Sequence, residues 1–189
     1  MFGLAYVYLF RFGWPYFIFS LIIIACLLLL ALVDLHEYIL PDKILLFMAV
    51  VGLIYLFLWG APLYSTRALM THDVGSIGVF PHISWRLIAQ SLIVVCVLWV
   101  FWVATRGRAF GFGDAKYLGV LTLIFGLIGS MVILFMSAIS GGLLSIVLLV
   151  TRKATMKTQL PFGVFLSAGA TLYLFLGVWF LTHYGYLFV

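Results

Sequence analysis

Apolar runs of about twenty residues, repeated along the whole chain, decide most of what it can fold into. Residues 14–33, 43–59, 85–105, 114–127, 130–150 and 161–181 read as six candidate membrane spans. In hydrocarbon every peptide group must find its partner within the protein, so such runs cross as helices. The expected fold class is therefore an all-α membrane protein, a polytopic bundle of about six transmembrane helices forming a single transmembrane domain over residues 1–189. Charged residues make up 8% of the chain, against roughly 25% in soluble domains. The excess of 10 Lys+Arg over 5 Asp+Glu lies between the apolar runs, so it reads as a topology signal and not as a nucleic-acid surface. The start MFGLAYVYLF has no basic segment before its apolar residues, and the first span is expected to be retained.

Cytoplasmic loops carry the Lys/Arg excess. One set of alternating loops holds Lys43, Arg106, Arg108, Lys116, Arg152, Lys153 and Lys157; the other holds Arg11, Arg67 and Arg86. Both termini are accordingly expected outside the cytoplasm, and Asp34 and Asp114 on the cytoplasmic side. The fourth span is short and opens on the polar sequence GFGDAK, which lipid tolerates only where protein or water surrounds the backbone. A protein-walled cavity is expected there.

Small residues recur every fourth position at Ser137, Gly141 and Ser145 and at Gly163, Ser167 and Thr171. Such faces let helices approach closely, either within one chain or between two. Pro161 suits a helix start, where its missing N–H costs nothing. Cys26 and Cys96 lie in apolar runs without a CxxC partner and read as small buried hydrophobes. The segment 60–84, with His72, His82 and Asp73, is the long outward loop; two histidines ten residues apart are weak grounds for a metal.

Acids in or beside a membrane span are functional hypotheses by default. Asp34 ends the run LLLLALVD, and Asp114 opens the fourth span behind Gly111 and Gly113, residues that let backbone come close to another chain. Each could instead be half of a structural ion pair, with Lys43 or Lys116. Asp42, after Pro41, is placed to cap the second span. Glu37 reads either as a solvated loop charge or as a substrate contact.

These residues fall in segments that resemble a known family. DLHEYILPD, from Asp34 to Asp42, and GFGDAKYLG, from Gly111 to Gly119, look like the two signatures of type IV prepilin peptidases. QLPFGVFLSAGA, with Pro161 and Gly163, resembles the family's entry to its last span. Presenilin and signal peptide peptidase relatives share GxGD but carry Pro-Ala-Leu near the last spans, where this chain has LPFGVF. Longer prepilin peptidases carry an insert with two CxxC pairs, associated with zinc and N-methylation; this chain is similar to the short, peptidase-only form.

The resemblance implies a membrane aspartic endopeptidase of the cytoplasmic (inner) membrane, active at its cytoplasmic face. Asp34 and Asp114 would share one proton and activate a water, with no metal, cofactor or covalent intermediate. The partner implied is a pilin-like precursor with a basic leader and an apolar helix lying in lipid. Glu37 and Asp42 would attract the leader, and Lys116 would fix local geometry beside Asp114. A small transporter or proton-conducting protein is the alternative, although its acids belong near the bilayer midplane.

Overall fold

A computed structural model describes residues 14–37, 40–59, 85–106, 111–152 and 161–184. The loop 60–84 and the segment before Trp14 lie outside the described residues. The described chain is helical throughout, as five elements: α1 (Trp14–Glu37), α2 (Asp42–Trp59), α3 (Trp85–Ala104), α4 (Phe112–Val150) and α5 (Phe162–Tyr184). Stretches long and apolar enough to cross a membrane are Ile18–Glu37, Leu87–Ala104 and Phe112–Val150, with a shorter apolar helix at Phe162–Leu176.

The expected fourth and fifth spans are joined in α4, whose 39 residues are interrupted at Gly126 (φ 75°, ψ 173°). Contacts with α5 give the direction on either side. Before the break, the Tyr117 hydroxyl meets Ser167 and the Phe125 ring meets Tyr173, so residues 112–125 run parallel to α5. After it, Gly129 faces Tyr173, Ser137 donates to the Phe165 carbonyl at 2.9 Å, and Gly141 faces the Phe165 ring. Residues 127–150 therefore run antiparallel to α5, and the chain reverses at Gly126. The spacing of the spans places a short link at residues 128–129; the turn lies at Gly126 instead, in a backbone conformation that only glycine adopts without strain, while Gly129 is packed against Tyr173. Gly126→Ala is expected to destabilise the protein by about 1–3 kcal/mol. Gly142→Ala, where an added Cβ meets nothing within 4 Å, is the control, with thermal unfolding in detergent as the measurement.

Residues 112–125 form the centre of the bundle. Ala115, Tyr117, Leu118, Leu121 and Thr122 are wholly buried, and α2, α3 and α5 all pack on α4. The short span is thus walled by protein from Ala115 onward, whereas Gly111 and Phe112 of its polar start are exposed. Around it, α2 runs parallel, with Asp42 near Lys116 and Gly52 against Ile124. By contrast α3 runs antiparallel, Ser91 donating to the Gly119 carbonyl at 2.7 Å and Trp102 meeting Phe112. The start of α1 meets the end of α2 through Phe19 and Tyr55, whose ring centroids are 4.2 Å apart.

The outer face of α3, with Leu92, Ile93, Val97 and Val100, is exposed and apolar. Cys96 lies exposed among them and not in the core where it was expected, whereas Cys26 is buried. Helices α3 and α4 are each followed by an arginine at positive φ, Arg106 (52°) and Arg152 (55°), the conformation that closes many helix C-termini. The small-residue faces pack within the chain: Ser137 and Gly141 on Phe165, Ser167 on Tyr117. Ser145 instead turns back to the Gly141 carbonyl of its own helix.

Candidate active site

The reversal in α4 gathers one set of helix ends: the end of α1 and the starts of α2, α4 and α5, with the end of α3 beside them. Asp34 belongs to this end. Helix α1 continues one turn beyond the expected boundary at Val33, so Asp34 and Glu37 are helical and not in a link. The Asp34 side chain is buried, the residue only 5% exposed. Its Oδ2 accepts the Val164 amide at 3.1 Å, with the Gly163 amide close to the carboxylate. Those amides belong to the first turn of α5, where N–H groups have no partner within their own helix and the helix dipole favours negative charge. Pro161 stands one residue before that helix, just outside the first turn in which it was expected. Asp34 thus caps a distant helix and pairs with neither lysine.

Asp114 is the third residue of α4 and half-buried. It lies close to the backbone N–H of Gly111, the residue preceding the helix, where the acid of the reciprocal half of a capping box stands. The two carboxyl groups are near enough to interact electrostatically. Glycine makes room for each: a Cβ at Gly111 would stand 2.8 Å from Asp114 Oδ2, and one at Gly163 would stand 2.7 Å from Asp34 Oδ2. Leu40 joins the two turns, its side chain lying against both Gly113 and Gly163.

Lys116 goes elsewhere. Its Nζ donates to both carboxylate oxygens of Asp42, at 2.9 and 3.0 Å, and lies 5.0 Å from the centroid of the Phe112 ring. That ring in turn meets Trp102, with centroids 5.7 Å apart. Asp42 is in the first turn of α2, but its carboxylate ties α2 to α4, and Pro41 supplies a carbonyl that accepts the Ile44 and Leu45 amides. The side chains are 37% and 72% exposed for Lys116 and Asp42, and an exposed pair of this kind contributes about 1 kcal/mol or less. A double-mutant cycle with Lys116→Met and Asp42→Asn should give a coupling of that size from unfolding free energies, shrinking as salt is raised. Glu37 is exposed at the end of α1.

The sequence reading missed the partners of Asp34. The available signal was the helix start at Pro161 and Gly163, whose unpaired amides need an acceptor, but nothing local says which acid supplies it. It also missed Tyr117, whose hydroxyl lies 2.8 Å from Ser167 Oγ in the core between the two acid-bearing regions.

Comparison with known proteins adds a family to this geometry. Residues 21–146, more than half of the chain, match the model of the type IV leader peptidase family. The chain is 26% identical over 144 residues to a prepilin leader peptidase/N-methyltransferase of Stutzerimonas stutzeri, covering 75% of this chain and 43% of that protein. It is 28% identical over 178 residues to a protein of the same description from Xanthomonas campestris pv. campestris, covering 92% of this chain and 54% of the relative. The chain spans about half the length of these curated relatives. No solved structure matches it.

Proposed function

Since the chain belongs to the type IV leader peptidase family, we propose that it is a membrane aspartic endopeptidase that removes the basic leader of pilin-like precursors, with Asp34 and Asp114 as its catalytic pair. The observation that carries this reading is the gathering of two acids from separate helices at one end of the bundle, each set against a glycine, with Leu40 lying against both Gly113 and Gly163. Two carboxyl groups brought to one water share one proton at lower cost than they carry two charges. The ionised member draws a proton from water as it attacks the scissile carbonyl; the protonated member donates to the carbonyl oxygen and then supplies the leaving amine. The titration belongs to the pair and not to either residue. Neither metal nor cofactor enters the scheme.

We read five elements, one of them reversing at Gly126, as six crossings, with the start of α1 and the end of α5 at the end of the bundle away from the dyad. Lys43, Arg106, Lys116 and Arg152 stand at helix ends on the dyad's side, and from the Lys/Arg bias we read that side as cytoplasmic. The precursor's apolar helix would lie in lipid with its leader in water, bringing the scissile bond to the depth of the acids. Glu37, exposed nearby, contributes attraction for the basic leader. Asp42 contributes less than its charge alone implies, being already engaged by Lys116. A transporter needs acids near mid-depth, whereas Asp34 lies in the last turn of α1 and Asp114 in the first turn of α4.

The test is incubation of the purified protein in detergent with a synthetic precursor segment containing a basic leader, a glycine and the start of an apolar helix. Mass spectrometry should find a single cut after the leader, and would report any added methyl group. An uncut segment, under conditions where the protein stays folded, rejects the reading.

A further inference from the structure

Tyr117 is wholly buried, three residues beyond Asp114 on the central segment of α4, and a phenol hydroxyl enclosed in this way requires a hydrogen-bond partner. Its partner is Ser167 Oγ, 2.8 Å away on α5. The direction of that bond follows from the next one. Ser167 donates its hydroxyl proton to the Gly163 carbonyl at 2.9 Å, and a hydroxyl has one proton to give, so Tyr117 is the donor to Ser167. The Gly163 carbonyl and the Val164 N–H are two ends of one peptide group, and that N–H donates to Asp34 Oδ2 at 3.1 Å. A continuous buried chain therefore runs from the Tyr117 hydroxyl to the Ser167 hydroxyl, through the 163–164 peptide, to the carboxylate of Asp34. Donation to a peptide oxygen polarises its N–H, so each bond in such a chain strengthens the next.

We propose that Tyr117 is a positioning residue for the peptidase reaction: acting through Ser167 and the 163–164 peptide, it holds Asp34 in register with Asp114, which the same helix segment carries. The chain rests on the protease reading above. It supplies what two separate helix starts lack, a polar link fixing how far the first turn of α5 sits from the helix bearing Asp114. Apolar packing between Tyr117 and its neighbours holds the helices together, but it does not fix the orientation of one carboxylate oxygen. The Tyr117 hydroxyl does not touch the reacting atoms, and its effect belongs to the chemical step and not to precursor binding.

Tyr117→Phe keeps the ring and Ser167→Ala removes one oxygen, so both variants retain the volume of the interface. Each is expected to lower kcat about tenfold while KM stays within about twofold, the pattern of an interaction used mainly in the transition state. The double variant should be no slower than the worse single variant, because both changes cut the same chain. Should Tyr117→Phe fail to insert, Ser167→Ala tests the same link. Unchanged kcat in folded variants, effects that multiply in the double variant, or a rise in KM alone overturns the proposal. A wild-type chain that cuts no precursor overturns the protease reading and this one with it. Cutting by the wild type, with equally fast variants, overturns the coupling alone.

Discussion

Exchange of Asp114 or Asp34 for asparagine is expected to lower the cleavage rate by about a thousandfold or more, while the protein still inserts and folds. Asparagine matches aspartate in shape but can neither take a proton from water nor give one to the departing amine. Its amide oxygen can still accept from the backbone. In Asp34→Asn that oxygen can turn toward the Val164 and Gly163 amides, and in Asp114→Asn toward the Gly111 amide, so each cap survives the loss of charge. The double variant should be no slower than either single one, because groups acting on one water lose their function together. Turnover of a synthetic precursor, followed by mass spectrometry beside thermal unfolding in detergent, separates lost chemistry from lost structure. A single variant that still cuts at a comparable rate removes that residue from the dyad.

A similar loss is expected from a methyl group. Gly163→Ala would put a Cβ 2.7 Å from Asp34 Oδ2, closer than such atoms approach, and in a tight 3.1 Å contact with the Leu40 side chain. The backbone there is ordinary helix, which alanine adopts more readily than glycine, so the conflict falls on the carboxylate. Asp34 has to swing away from the amides of α5 and from Asp114. The rate should fall about a hundredfold or more, since small displacements of a reacting group are costly when geometry carries the catalysis. Gly111→Ala repeats the test from the other side, its Cβ standing 2.8 Å from Asp114 Oδ2. Gly142→Ala, with open space around it, should cut at the wild-type rate. Normal cleavage by Gly163→Ala would show that Asp34 does not need its present place.

The helices were legible because their signals are local. Leu, Ile, Val and Phe in runs of span length require helix in lipid, and the starts near Asp42, Phe112 and Phe162 are marked by Pro41, Gly111 and Pro161. The acids were legible for the same reason, since a carboxyl group beside an apolar run stands out. Boundaries were read less well. The end of α1 moved from Val33 to Glu37 because a polar final turn, with the His36 ring against the Leu32 carbonyl, extends a helix beyond its apolar residues. Cys96 was misplaced because residues 92–104 of α3 are apolar on every side, and hydrophobicity does not distinguish a face toward lipid from a face toward protein.

What the sequence determined by itself is the membrane character of the chain, its helices and the placing of its two notable acids at helix ends, all consequences of the free energy of single segments. What only the tertiary structure decided is which ends meet. Lys116 lies two residues from Asp114 and binds Asp42, 74 residues away in sequence; Asp34 finds its amides 130 residues away. The choice of partner depends on the reversal at Gly126 and on the close approach that Gly163 allows, both set by how the helices pack. A hydrogen bond depends on distances of a few ångströms, and packing fixes those distances where local sequence does not.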